Sequence, residues 1–295
     1  MAARRATHAD SWYSADAKEL NRELEGWLAN VGQPSISARA VISPHAGYRY
    51  SGATAAHSFK QINPENVRTI FILGPSHHVK LSGCAVSQCA TYKTPLYDLN
   101  INTEITQDLL DTGHFELMSM EADEDEHSIE MQLPYIAKIM ESARGRFTIV
   151  PIMVGSLSTS GEAKYGKLLA KYLEDPSNCF VISSDFCHWG QRFRYTHYNQ
   201  DQGDIYQSIE ALDRQGMELI SSLDAPGFSS YLKKYGNTIC GRHPIGVFLN
   251  MVAAMRQNMN GIKMEMNFLS YAQSNQVKNV RDSSVSYAAA TFIIH

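Results

Sequence analysis

The stretch TIFILGPSHH, residues 69–78, decides the reading of the fold. Thr69 to Leu73 run apolar or β-branched without a charge, and Gly74-Pro75 stops them. A short apolar run closed in this way is the pattern of a strand covered on both faces. Working outward, ARAVISPH (38–45), FTIVPIMVG (147–155) and FVISSDFCH (180–188) have the same form, each halted by Pro, Gly or a polar cluster. Two later runs, MEMNFLSY (264–271) and VSYAAATFII (285–294), read as further strands, one of them at an edge.

Helical patterns separate these strands. Leu20, Leu24, Trp27, Leu28 and Val31 recur at helical spacing, with Ser14 as the expected N-cap. Ala163 to Leu173 repeats in the same way, with Leu168, Leu169 and Tyr172 on one side, and so does Ile205 to Ile220. A last helix is expected from Pro244 to Met255, with proline in its first turn. Strand then helix, repeated, predicts an α/β fold whose central sheet, largely parallel or mixed, is flanked by helices. No internal repeat, low-complexity linker or Gly/Ser hinge interrupts it, so residues 1–295 are read as a single domain.

Composition removes several classes of function. A net charge of -4 gives no attraction toward nucleic acid or anionic lipid. No apolar run reaches the roughly 18 residues that span a bilayer. MAARRATHADSWY has two arginines but no apolar stretch behind them, so no secretory signal is expected. Five irregularly spaced cysteines read as thiols in a reducing compartment rather than as a disulfide framework, which predicts a cytoplasmic protein.

Chemistry collects where the strands end. Ligands of open α/β sheets bind beyond the carboxyl ends of the strands. Three predicted strands end in Ser43-Pro44-His45-Ala46-Gly47, in Gly74-Pro75-Ser76-His77-His78 and in Ser183-Ser184-Asp185-Phe186-Cys187-His188. If these strands are parallel neighbours, their ends face one crevice. Adjacent residues of an extended chain point opposite ways, so one of His77 and His78 enters it, and His77 is taken. Asp185 and His188 share the third of these loops, where a carboxylate could orient an imidazole or act as acid or base. Cys240 precedes the last helix and has two readings. The helix N-terminus and Arg242 would favour its thiolate, or it is a small buried hydrophobe, as Cys84, Cys89, Cys179 and Cys187 are read. Six acids between Glu121 and Glu130 read as a solvated helix start. His127 interrupts them, either on that solvated face or turned inward to the crevice.

Taken together, SPHAGYRYSG, FILGPSHH, TPLYDL, DEDEHSIEMQLPY, SSDFCHWGQRFRY and NTICGRHPIGV, with SWY near the start, resemble the Memo family of mediators of receptor-tyrosine-kinase-driven cell motility. The resemblance runs from Ser11 to the C-terminus. It implies a fold similar to that of class III, extradiol-type non-haem iron dioxygenases, a single domain with one central pocket. It also implies metal ligands at His45, His77 and Cys240, His188 at the acid/base position, and Asp185 and His127 in the pocket wall. The dioxygenases complete their ligand set with a carboxylate; a thiolate stands here, so their reaction does not carry over with the ligands. Sulfur shifts preference toward copper(I) or zinc while still permitting iron, and adds an oxidisable atom. Iron or copper is the expected cofactor. Zinc hydrolysis ranks last, since no HExxH signature supports it.

Two functions follow from the resemblance. The first is a metal-dependent, oxidoreductase-like protein that modulates reactive oxygen species and serves receptor tyrosine kinase signalling in cell migration and cytoskeletal control. The alternative is a non-catalytic adaptor whose pocket binds phosphotyrosine peptides, with Trp12, Tyr50, Trp189, Arg192 and Arg194 near its mouth, although the two arginines read more readily as an ordinary solvated loop. The implied partners are a phosphorylated receptor tyrosine kinase or its adaptors, and cytoskeletal and small-GTPase signalling proteins. Cytoplasm, with the nucleus as a second compartment, is the expected location.

Overall fold

The four strands expected from the apolar runs lie side by side and parallel, in the spatial order Ala40–Ser43, Asn178–Ser183, Thr69–Pro75, Thr148–Val154. The structure, a computed structural model, describes residues 2–295. Antiparallel strands extend this core on both sides, which makes the nine-stranded sheet mixed. Beyond Ala40–Ser43 comes Ser284–Ile294, which also pairs with His188–Trp189 and with Met264–Gln273. Beyond Thr148–Val154 come Cys84–Val86 and then Phe115–Leu117.

Alternation along the central strands explains their continuous hydrophobicity. Val41, Ile70, Ile72, Ile149 and Val181 pack on one face against helices Ala17–Ala29, Tyr48–Phe59 and Leu133–Ile139. Their neighbours Ile42, Phe71, Leu73, Val150 and Phe180 pack on the other face against Thr159–Glu174, Ile205–Ser221, Ala225–Tyr235 and Arg242–Asn258. Both side-chain sets are buried, so neither face tolerates a polar alternation.

Element ends differ from expectation for local reasons. The first helix is capped by Asp16, not Ser14, because Asp16 stands three residues before the Glu19 N–H that its carboxylate accepts at 2.8 Å. Ser14 instead donates to the Glu19 carboxylate, and Val31 lies beyond the helix end. Ser158 caps a helix that begins at Thr159, four residues before the expected start, and the last helix begins at Arg242 with Pro244 in its first turn. A small second sheet of Ala3–Arg4, Thr91–Tyr92 and Leu99–Asn100 has strands too short to show a pattern in sequence. It ties the start of the chain to the body of the fold.

Candidate metal centre

Parallel register brings the predicted strand ends together. Ser43 is paired with Ser183, and two residues further on the His45 N–H donates to Asp185 Oδ1 at 2.8 Å. The next strand over ends at Pro75 and delivers His77, whose ring centroid lies 5.2 Å from that of His45. Gly74 permits this packing, since a Cβ there would stand 2.5 Å from Ser128 Oγ. Cys240 arrives from the loop before Arg242–Asn258, with its sulfur 3.2 Å from His45 Nε2 and 3.2 Å from the Asp185 N–H. Gly241 makes that approach possible, because a Cβ would lie 2.3 Å from Ser184 Cβ.

Hydrogen bonds at the far nitrogens fix what the imidazoles offer the crevice. The Ser183 hydroxyl donates its one proton to the Ser128 carbonyl at 2.7 Å and accepts from Gln132 Nε2 at 2.8 Å. His45 Nδ1, 2.8 Å from the same oxygen, must therefore be the donor. His77 Nδ1 donates to Glu126 Oε1 at 2.8 Å, and His188 Nδ1 to the carbonyls of Phe186 and Thr238 at 2.9 and 3.0 Å. Each ring thus keeps its lone pair on Nε2, the state a metal ligand needs. The donor set fits iron, copper or zinc.

His127 is turned inward. Its ring stacks on His77 at 4.3 Å and on Trp12 at 4.5 Å, with His45 at 5.3 Å. The ligating atoms of His45, His77 and His127 all lie within 4.8 Å of one another, and so do those of His45, Asp185 and Cys240. His45 is common to both groups; among the described residues His77 and Cys240 fall in different ones. His188 stands at the rim, edge-on to Phe193 at 5.2 Å. Trp12 and Tyr50 form a wall between two clefts, one of about 720 Å³ and one of about 450 Å³. The smaller also takes in Ala46, Arg192 and Phe193, beside His45 and His188. Trp189 is not at this mouth: it is buried, with its indole N–H on the His197 carbonyl, and Arg194 lies outside the cleft lining.

The site disfavours charge. Burial, with His77 beside it, holds His45 well below the usual histidine range, and burial with His45 and His77 pushes His127 down to about 3. Burial raises Asp185 above the ordinary carboxylate value. Burial, then the Asp185 carboxylate, pushes the Cys240 thiol well above its usual range, opposite to the first of its two sequence readings, a thiolate favoured by Arg242 and the helix start. Arg242 points elsewhere, into a separate cavity with Glu162 and His243. An incoming cation must therefore displace the thiol proton.

A family profile described as Memo-like protein matches residues 4–291. The chain belongs to the Memo-like family. It is 60% identical over 295 residues to Protein MEMO1 of Danio rerio, covering 100% of this chain and 99% of that protein. With Protein MEMO1 of Homo sapiens the identity is 59% over 292 residues, 99% of this chain and 98% of that one. The solved structure of the uncharacterized protein JW3007 from Escherichia coli K12 is a looser likeness, with TM-score 0.48 and 13% identity over 84% of this chain and 98% of its own.

The acid run of the Memo-like chain is where sequence reading went furthest astray. Asp123, Glu124, Glu126 and Glu130 are buried, not solvated. Glu126 holds His77 by ring and backbone, and Glu130 takes His8 Nδ1 at 2.8 Å together with Arg4 at 2.7 Å. Arg4 also reaches Asp123 at 3.0 Å and is itself 1% exposed. His8, in edge contact with Trp12, went unread as a site residue, as did Ser183, Gln132 and Glu126. The available signal was a histidine and two arginines in one short segment, matched in charge by an acid run with apolar residues behind it.

Proposed function

We propose that this Memo-like chain is an intracellular metal-binding protein of redox type. It holds iron or copper at His45, His77 and Cys240, with zinc a weaker candidate, and acts as an effector of receptor tyrosine kinase signalling in cell migration. The observation that carries the metal reading is the fixed tautomers: three imidazoles anchored through Nδ1–H with the lone pair on Nε2, that of His45 facing the Cys240 sulfur at 3.2 Å. A bound iron or copper ion would supply one-electron chemistry toward oxygen species. The chain's own groups do the rest. Asp185 holds the His45 backbone in place, His188 Nε2 gives or takes a proton at the rim, and His127 and Trp12 cover the centre. The Cys240 sulfur is the oxidisable atom. The signalling role, its phosphorylated-receptor, adaptor, cytoskeletal and small-GTPase partners, and a cytoplasmic and nuclear location rest on the family.

Metal analysis of chain purified without chelator tests this reading. Iron or copper should be present, and should be lost in His45→Ala and in Cys240→Ser. Variants that retain the parent's metal content refute it. A second reading has one observation in its favour: the exposed Arg192 guanidinium stands beside Trp12, Tyr50 and Phe193 in the 450 Å³ cleft. A phosphotyrosine peptide could stack there and pair its phosphate. Equal affinities for the phosphorylated and unphosphorylated peptide remove that reading.

A further inference from the structure

The cavity that Arg242 enters is separate from the metal centre. It measures about 320 Å³ and is bounded by helices Thr159–Glu174, Ala225–Tyr235 and Arg242–Asn258, which pack on one face of the sheet. It shares no residue with the two clefts at Trp12 and Tyr50.

Its charges are unbalanced. Arg242, half-buried, and Lys233, exposed, both line it, and among the described residues neither side chain makes an ion pair or a hydrogen bond. The carboxylate in the lining, Glu162, is engaged with another group. Its Oε1 takes His243 Nδ1–H at 2.9 Å, and it lies over Gly246, where a Cβ would stand 2.3 Å from Oε2. A guanidinium carries five donors in a fixed fork, and Arg242 spends none of them on the protein. Helices Thr159–Glu174 and Arg242–Asn258 both begin at this cavity and turn the positive ends of their dipoles to it.

Two uncompensated cations match a dianion, and a phosphate has enough oxygens for donors that arrive from separate helices. The rest of the wall is apolar, made by Leu157, Phe228 and Leu232. A space of about 320 Å³ exceeds a bare phosphate and suits a small organic body beside it. We propose that this cavity binds a small phosphomonoester, with Arg242 and Lys233 on the phosphate and Phe228, Leu157 and Leu232 around the organic part. The site is independent of the metal.

Titration calorimetry of the full chain with butyl phosphate, inorganic phosphate and pentanoate tests it. Butyl phosphate should bind once per chain, about tenfold or more tighter than inorganic phosphate, because its tail is buried. It should also bind about tenfold or more tighter than pentanoate, which carries the same butyl tail on a carboxylate. Arg242→Gln should weaken butyl phosphate about tenfold or more. Lys233→Gln alters an exposed side chain that the fold does not need, and should weaken it about threefold. Full affinity in either variant overturns the site, as does a loss in Arg192→Gln instead, which would put the phosphate in the cleft at Trp12. Inorganic phosphate or pentanoate binding as tightly as the ester overturns the ligand class, and a parent that binds none of the three overturns the proposal outright.

Discussion

At the scale of single residues, the centre is held by groups that never face the crevice. Glu126 accepts the His77 ring N–H at 2.8 Å, the His77 backbone N–H at 2.7 Å and the Ser128 N–H at 2.9 Å. Burial alone would raise its pKa; those hydrogen bonds from His77 and Ser128 hold it below the usual carboxylate range instead. Glu126→Gln keeps the shape but replaces one acceptor oxygen with an NH₂ that meets donors. The His77 tautomer is then no longer fixed, and metal affinity should fall about 10- to 100-fold. Titration with cobalt(II), a spectroscopic stand-in for iron(II), checks this, and an unchanged affinity would show that His77 does not bind. Sequence alone singled out His45, His77, Asp185, His188 and Cys240 as crevice candidates, because each follows a predicted strand or precedes a helix. It hid Glu126, Glu130 and His8. An acid run looks solvated until its cations are known, and Arg4 and His8 lie 126 and 122 positions from Glu130 in the chain.

Elements set the positions of those residues, and here the fold was largely legible. Four apolar runs gave the four parallel strands because burial on both faces leaves an unbroken hydrophobic signal. Two- and three-residue strands such as Cys84–Val86 and Phe115–Leu117 carry no such signal; pairing partners alone define them. The loop leading into Arg242–Asn258 was legible as a site but not as a close contact. Its Gly241 N–H donates to Ser184 Oγ at 2.9 Å, and a methyl group there would overlap Ser184 and the Ser183 carbonyl. Gly241→Ala should therefore cost about 1 to 3 kcal/mol in urea denaturation and draw the Cys240 sulfur away from His45. Copper(I) binding should weaken with it. Parent-like stability and copper(I) affinity together would mean that the loop and strand end do not approach as closely as described.

Across the whole molecule, the segment from Arg4 to Tyr13 acts as a clamp that crosses to the acid run and closes one side of the centre. Arg4 is buried between Asp123 and Glu130, Glu130 also receives the Tyr13 hydroxyl at 2.8 Å, and Trp12 rests on His127. Replacing Arg4 by Met leaves two buried carboxylates without their cation, which should cost about 3 to 5 kcal/mol in chemical denaturation; a loss under about 1 kcal/mol would deny the clamp its role. Acid should release the same clamp. Burial would raise Glu130, yet the His8 hydrogen bond and the Arg4 charge overcome it and bring its pKa from the ordinary 4.5 down to about 2. Above about pH 4.5 Glu130 is ionised whether the chain is folded or unfolded, and its full contribution, about 3 kcal/mol, is present. As pH falls below that value the unfolded chain takes up a proton that the folded chain refuses, so stability declines until about pH 2. The urea midpoint of the metal-free parent should fall across this window. In Glu130→Gln the midpoint should start lower and fall less steeply, because the linked proton is gone. Identical slopes in parent and variant would place the acid sensitivity elsewhere in the fold.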